Sequence, residues 1–367
     1  MDTNQRLQSL DVLRGLTIIL MIIVNSPGSW SHVYPPLLHA EWNGLTPTDL
    51  VFPSFLFIVG ISIVLSLEKR VLVDSKQKLL KKVFGRAIKI YLVGLILWIW
   101  PEFDFSNIRY AGVLQRISIV YLICATIFIY TKKSNHISLG AMLLITYTII
   151  MVFVPVPGIG KPDLSEPMMN WANYIDSHLL PGVLWQKTWD PEGILSTMGA
   201  VVTGLFGMSA AGIIKQYKES KSLDQLMIYG FILAFTGYIT HYIFPINKAL
   251  WSSSFTLLTA GISALILGTC IYYIDQKKIK KGLNIPLAFG VNPIVAYALS
   301  SLLVSLFYSD FFIAVALNDL FMEKFIQLGL SAKLVSFFYA LIYGFIIYIP
   351  TYLLYKKKLY INFKKTA

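Results

Sequence analysis

The sequence predicts an all-α integral membrane protein with about ten transmembrane helices. The chain of 367 residues is 56% hydrophobic and only 14% charged, whereas soluble domains carry about one quarter charged residues. Apolar runs long enough to cross a hydrocarbon core of about 30 Å recur along the whole length. The runs lack the apolar/polar alternation of barrel strands, and an open sheet edge cannot be solvated in lipid, so we expect the spans to be helices.

Because apolar runs recur along the whole chain, we expect residues 1–367 to form one transmembrane domain. The ten expected spans are 12–26, 49–67, 83–101, 111–130, 137–154, 193–214, 225–244, 251–274, 285–306 and 331–355. No small-residue cleavage site follows the first run, which we expect to be a retained span. The outer loops are then about 27–48, 155–192 and 307–330. The second of these is expected to hold a short interfacial helix over 168–180. The third contains FFIAVALNDLF, which allows an eleventh, half-buried or re-entrant helix.

The net charge of +12 orients the protein and does not indicate a nucleic-acid partner. Basic residues cluster in the short links between apolar runs, which is typical of cytoplasmic loops. Only seven of the 31 Lys and Arg residues fall on the other side: Arg109, Arg116, Lys161, Lys187, Lys248, Lys324 and Lys333. The sequence therefore predicts a multi-pass protein of the inner cell membrane with both termini in the cytoplasm.

Polar side chains inside or at the ends of spans are candidates for function, because charge in lipid is costly. Arg14 lies on the opening turn of the first helix, three residues after Asp11. It either snorkels to the headgroups or helps to bind an anionic ligand. Asn25 ends the same helix and either terminates it or presents an amide to a substrate carbonyl.

The stretch LLHAEWNGLTPTDLVF places His39 in the loop between the first two spans, ten residues before Asp49. The residues from Thr46 to Asp49 form a helix cap, which alone explains the carboxylate. An imidazole is the usual group for taking a proton from an amine or hydroxyl near neutral pH. No second histidine stands at a ligand spacing, and the two cysteines lie inside apolar runs, so no metal site is expected.

Three further segments carry polar candidates. Arg116, next to Gln115, lies about one and a half turns inside the fourth span and therefore needs a partner or a water-filled cavity. The segment WDPEGILST is predicted to start the sixth span with Asp190 as cap and Glu192 on its first turn. The segment PINKALWSS combines amide, hydroxyl and aromatic groups that suit a sugar. Candidate partners of Arg116 are Asp49, Glu102, Asp104 and Glu192, and the candidates in PINKALWSS are Asn247, Lys248 and Trp251.

Seven stretches resemble the heparan-α-glucosaminide N-acetyltransferase family, particularly its bacterial, chitin-utilisation-type members. In order from residue 10 to about 297 they are LDVLRGLTIILMIIVN, HAEWNGLTPTDLVFPSFLFIVG, GVLQRISIVY, VPVPG, DPEGILST, PINKALWSSSF and GVNPIVAY. The resemblance implies transfer of an acetyl group from cytoplasmic acetyl-CoA to a glucosamine on the opposite face of the membrane. It also implies that His39 is the catalytic histidine, that Asn25 is an active-site residue, and that the protein is a homodimer.

The resemblance and the polar residues together predict a mechanism. Basic groups should hold the phosphates of acetyl-CoA, while an amide such as that of Asn25 stabilises the oxyanion. His39 either deprotonates the attacking amine or carries the acetyl group as an acyl-imidazole, with Asp49 or Glu41 orienting the ring. The residues expected to bind the donor are Arg14, Arg86, Lys89, Gln115 and Arg116. Those expected to bind the acceptor are Asp190, Glu192, Asn247, Lys248 and Trp251.

Two other function classes remain open from the residues alone. A transporter of small polar or sugar solutes would use buried Arg and Asp as its substrate path. A scaffold without chemistry is the third reading, and the buried Arg116 argues against it. The acceptor also stays open among free glucosamine, a chito-oligosaccharide and a wall fragment.

Overall fold

The structure is a computed structural model that describes residues 7–216 and 219–360. Thirteen α-helices lie within these ranges. They are α1 (Gln8–Asn25), α2 (Val51–Val71), α3 (Lys76–Ile99), α4 (Val113–Tyr130), α5 (Asn135–Phe153), α6 (Trp171–Leu179), α7 (Thr197–Gln216), α8 (Glu219–Thr240), α9 (Ser253–Cys270), α10 (Asn284–Val291), α11 (Pro293–Phe307), α12 (Leu317–Gln327) and α13 (Ala332–Lys356). Short 3-10 turns at Pro35–Leu37 and Pro47–Leu50 precede α2, and a π-helical segment, Ile271–Gln276, extends α9.

The predicted all-α membrane fold is confirmed. Within the described ranges, eight helices are long and apolar enough to cross a membrane, or nine if the bent pair α10–α11 is one span. The remaining long helix, α3, has 24 residues but carries Lys82, Arg86 and Lys89 along its length. The total of ten spans and the cytoplasmic position of both termini stay predictions.

The expected span 285–306 is not one straight helix, because the chain bends by 87° between α10 and α11. Asn292 at the bend has φ −127° and ψ 52°, which is not helical. Pro293 follows it, and the proline ring disfavours the helical conformation for the residue before it. The Asn292-Pro293 dipeptide therefore interrupts the helix within a long apolar run.

Two short helices lie in the loops where they were expected. Helix α6 lies within the predicted interfacial segment 168–180. Helix α12 lies within 307–330 and has 11 residues, about 16 Å of helix, which is too short to span a bilayer.

The largest buried apolar cluster is built mainly from α2, α4, α7 and α9. Helices α2 and α7 pack backbone to backbone: a Cβ at Gly60 would overlap the carbonyl of Gly204, and one at Gly207 would overlap the carbonyl of Phe57. Small residues permit such close helix approach inside a membrane. Apolar side chains of α5 and α8, such as Ile145 and Phe231, point outward as a lipid-facing surface would. This packing holds α2 in place beside the functional site.

Candidate active site

A cavity of about 1120 Å³ is lined by α1, α2 and α4. Along α2 its lining extends from Val51 to Lys69, about 27 Å at 1.5 Å per residue. That length approaches the hydrocarbon thickness of a bilayer. We call the two ends the basic end, with Arg14, Lys69, Arg86 and Lys215, and the histidine end, with Asn25, Trp30, His39, Arg109, Trp185, Glu192 and Lys248.

Within the part of the chain that the structure describes, three acceptors hold Arg14 at the basic end. Its Nη1 donates to Asp11 Oδ1 at 2.9 Å and to the carbonyl of Gly290 at 3.2 Å, and its Nη2 donates to Ser62 Oγ at 2.8 Å. These bonds join α1, α2 and α10 around the cavity. The local pairing with Asp11 that the sequence suggested is therefore present, and the same arginine also lines the cavity.

The structure brings only two of the five expected donor-binding residues to this cavity. Arg14 and Arg86 line it, and the Arg86 guanidinium lies 5.1 Å from the centre of the Tyr121 ring. The other three are not lining residues: Lys89 is exposed on another face of α3, whereas Gln115 and Arg116 are buried in α4. Lys69 and Lys215 line the same end and were not singled out from the sequence.

His39 and Asp49 meet in the link between α1 and α2. His39 Nδ1 lies 2.7 Å from Asp49 Oδ1, while Oδ2 accepts from the backbone N–H groups of Ala40 at 3.1 Å and Thr46 at 3.0 Å. Thr46 and Asp49 also form a reciprocal capping box at Pro47–Leu50. The predicted cap is confirmed, and the same carboxylate also holds the imidazole.

This arrangement sets the proton positions on His39. The ionised Asp49 accepts the Nδ1 hydrogen, so Nε2 keeps its lone pair. Asp49 is fully buried, whereas the His39 side chain is 43% exposed and lines the cavity. An imidazole in this state can take a proton from an amine or attack an acyl carbon.

Lys248 lies against the same imidazole. Its Nζ is 2.9 Å from Nδ1 and 3.1 Å from Nε2 of His39, and 3.6 Å from Asp49 Oδ1. Because the Nδ1 hydrogen goes to Asp49, the ring nitrogen that can accept from Lys248 is Nε2. Burial lowers the pKa of Lys248, against the attraction of Asp49 and Glu192. We call His39, Asp49 and Lys248 the histidine cluster.

The link between α8 and α9 positions Lys248. The buried Asn247 donates from Nδ2 to Asn43 Oδ1 at 3.0 Å, which ties this link to the loop that carries His39. Trp251 is buried and donates its indole N–H to Thr203 Oγ1 at 3.0 Å. Of the five residues expected to bind the acceptor, Lys248 and Glu192 line the cavity, whereas Asp190, Asn247 and Trp251 do not.

Asn25 and two tryptophans complete the histidine end. Asn25 is the last residue of α1 and lines the same cavity as His39. Trp30 and Trp185 line it too and are 58% and 57% exposed. Neither tryptophan was predicted from the sequence, because an exposed Trp near a membrane surface is common without any binding role.

A second ionisable cluster lies beside the first and is closed in the sense that its charges are paired with one another, although Arg109 and Glu192 also line the cavity. Arg109 donates from Nε to Asp190 Oδ2 at 2.7 Å and from Nη2 to Asp190 Oδ1 at 2.5 Å and Glu192 Oε2 at 2.6 Å. We call these three residues the arginine network. Arg109 was not predicted as the partner of Asp190 and Glu192, and the expected helix cap at Asp190 is wrong because α7 begins at Thr197.

Arg116 lies near this network, next to Gly193, and is 1% exposed. Its Nη2 donates to the carbonyl of Gly193 at 3.2 Å and to Ser196 Oγ, and its guanidinium lies 5.1 Å from the Trp251 ring centre. Its hydrogen bonds in the described structure thus go to neutral groups and to none of the four expected carboxylates. Asp176 of α6 accepts from the Ile194 N–H at 2.9 Å, and burial raises its pKa to about 6.

Comparison with known proteins assigns the chain to a family. Residues 6–180, which contain His39 and Asp49, match the family model described as heparan-alpha-glucosaminide N-acetyltransferase, catalytic. The heparan-alpha-glucosaminide N-acetyltransferase of Mus musculus is 28% identical over 355 residues, covering 81% of this chain and 53% of the relative. The enzyme of that name from Homo sapiens is 30% identical over 352 residues, covering 80% and 52%. The chain spans about half the length of these curated relatives, and it belongs to the heparan-alpha-glucosaminide N-acetyltransferase family.

Proposed function

We propose that the protein is a membrane-embedded N-acetyltransferase. It moves an acetyl group from acetyl-CoA at the basic end to the amine of a glucosamine or glucosaminide at the histidine end. The observation that carries the proposal is the cavity itself, which joins cationic side chains at one end to a carboxylate-held imidazole at the other. The family membership supports the reaction type.

The basic end suits the donor. The nucleotide part of CoA is anionic, and Arg14, Lys69, Arg86 and Lys215 line the cavity where its phosphates would bind. Between the two ends the cavity is lined by apolar side chains such as Ile18, Phe55 and Ile117, which suit a narrow, uncharged acyl-carrying arm. The volume of about 1120 Å³ exceeds the range of about 300–1,000 Å³ that is usual for ligand pockets.

The histidine end suits the chemistry of acetyl transfer. His39 Nε2 accepts a proton from the attacking amine or, in the two-step alternative, takes the acetyl group as an acyl-imidazole. Asp49 holds the ring and stabilises the imidazolium that forms. Asn25, at the same end, supplies an amide that can donate to the oxyanion.

Exposed aromatic rings favour a sugar as the carrier of the acceptor amine. Trp30 and Trp185 line the histidine end, where their faces can pack on the apolar face of a sugar ring. Glu192, which also lines the cavity, offers a carboxylate to a sugar hydroxyl or ammonium group.

The orientation follows from the charges. Because basic links favour the cytoplasm, the basic end should face the cell interior, where acetyl-CoA is made, and both termini should lie on that side. The protein then resides in the inner cell membrane in contact with lipid, and we expect it to act as a homodimer.

A solute transporter is the second candidate, since a cavity lined over nearly the thickness of a bilayer also suits a permeation path. Proteoliposomes separate the two. With acetyl-CoA supplied on the side of the basic end and labelled glucosamine on the other, the transferase yields N-acetylglucosamine and free CoA in equal amounts. A transporter moves unmodified glucosamine across the membrane and consumes no acetyl-CoA, and that result would overturn the proposal.

A further inference from the structure

The histidine cluster contains a primary amine of the protein itself. Lys248 Nζ lies 2.9 Å and 3.1 Å from the two ring nitrogens of His39, and Lys248 lines the same cavity. The proposed acceptor is also a primary amine, and it must reach the same imidazole to be acetylated. Lys248 therefore occupies, in this structure, the position that an acceptor amine has to take.

Lys248 differs from the other lysines on this side of the protein. Its side chain is 23% exposed and in contact with a base, whereas Lys161 and Lys187 are exposed on the long loop between α5 and α7. Burial also lowers its pKa, so a larger fraction of this amine is neutral at a given pH than for an exposed lysine. Only the neutral amine is a nucleophile.

We propose that Lys248 is a self-acetylation site: without an acceptor sugar, the enzyme transfers acetyl from acetyl-CoA to Lys248 Nζ and thereby switches itself off. This inference rests on the proposed function. The nearness of Nζ to His39 Nε2 carries it, since the group that assists an acceptor amine is already in place for the lysine.

The step balances without any further reactant. Neutral Lys248 Nζ forms a bond to the acetyl carbon while the thioester C–S bond breaks. One Nζ proton passes to His39 Nε2 and from there to the departing thiolate, so the products are the CoA thiol and Nε-acetyl-Lys248. If the acetyl group first resides on His39, the same lysine removes it and the overall balance is unchanged.

Acetyl-Lys248 cannot return its acetyl group to a sugar, because the amide nitrogen is not a leaving group. The acetylated Nζ also carries no charge. The added acetyl group also fills space beside His39 that an acceptor needs. Acceptor sugar should protect Lys248, because both amines compete for the same imidazole.

Mass spectrometry of the purified full-length protein tests the inference. After incubation with acetyl-CoA alone, Lys248 should be acetylated about 100-fold faster than Lys161 or Lys187, which matches the lower range for general-base assistance. The His39→Ala variant should bring Lys248 down to the rate of the exposed lysines. Glucosamine in the mixture should slow the modification in proportion to its occupancy.

Activity after preincubation provides the second readout. Wild type and the control Lys161→Arg should lose turnover as acetyl-Lys248 accumulates, while Lys248→Arg, whatever its starting rate, should keep that rate. Turnover of sugar with Lys248 unmodified, or modified no faster than Lys161, overturns self-acetylation and leaves the proposed function intact. Acetyl-Lys248 without any sugar product supports self-acetylation and overturns the proposal that the acceptor is a sugar. Absence of both products overturns both.

Discussion

Two ionisable clusters lie close together at the histidine end, and they differ in how completely their charges are paired. The arginine network is closed because its charges are paired with one another: Arg109 and Asp190 share two hydrogen bonds and are 7% and 2% exposed, although Arg109 and Glu192 also line the cavity. The histidine cluster is open: Asp49 is fully buried, but His39 is 43% exposed and lines the cavity. Both contain residues that would be costly in lipid, and only the open cluster keeps a reactive nitrogen available.

The difference shows how a charged residue in a membrane protein should be interpreted. Its presence indicates that something compensates it, and the compensation can be another side chain or a ligand. Where the partner is internal and bidentate, as for Arg109, the structural role is sufficient. Where a group that lines the cavity keeps a reactive atom that no carboxylate holds, as for Nε2 of His39, chemistry is the better explanation. Five predictions test this contrast, from the largest expected effect to the smallest.

Removal of the imidazole should abolish most of the turnover. His39→Ala is expected to lower kcat by about 10²–10⁴-fold, the range for a lost general acid–base group, and to leave thermal melting close to wild type. His178→Ala is the matched control, because His178 is exposed on α6 and does not line the cavity. Equal rates for the two variants would remove His39 from the mechanism.

Opening the closed cluster should instead destabilise the fold. Arg109→Ala leaves Asp190 buried without its cation, which costs about 3–5 kcal/mol. We expect a clear fall in the melting temperature in detergent, whereas Lys161→Ala, which removes an exposed cation, should melt like wild type. A variant that melts normally but has no activity would show that Arg109 acts on the substrate.

The Asp176 carboxyl should make stability depend on pH next to the closed cluster. Its pKa is raised by burial from 3.8 to about 6. This group therefore stabilises the fold fully below about pH 4, and its contribution is lost as the pH rises through about 6. Compared with Asp176→Asn, wild type should lose about 2–3 kcal/mol over that window, at about 1.4 kcal/mol per pKa unit. Parallel melting curves for the two proteins from acid to neutral pH would contradict this.

Asp49 should affect the rate through His39. Asp49→Asn replaces a charge-assisted hydrogen bond worth about 1.5–3 kcal/mol, so kcat is expected to fall by about 10–100-fold with little change in KM. The control Thr46→Val disturbs the capping box but leaves the bond between Asp49 and His39. If both variants lose the same activity, Asp49 serves only as a cap.

The smallest effect is expected at the basic end, where two cations of α3 can be compared. Arg86 lines the cavity and Lys89, three residues later, does not. Arg86→Met should raise the KM for acetyl-CoA about tenfold, the equivalent of about 1.4 kcal/mol, while Lys89→Met should leave it unchanged. The opposite ranking would place the donor on another face of α3.

The sequence alone predicted most of the helices and part of the site. Long apolar runs identify spans because lipid cannot solvate an open backbone, and the Thr46-Pro47-Thr48-Asp49 cap is readable because all its contacts lie within three residues. The bend at Asn292 was missed because a long apolar run was weighted above the effect of the following proline. The predicted helix start at Asp190 is wrong because this carboxylate is bonded to Arg109 instead of capping α7.

What the sequence by itself determined is most of the helices, the clustering of basic residues in the links between them, and the local cap that fixes Asp49. Only the tertiary structure decided which of those charges share a cavity. His39 and Lys248 touch across 209 residues of chain, and Arg109 and Asp190 across 81. A sequence pattern shows that a buried charge must be compensated, but the compensating group is selected by how the helices pack.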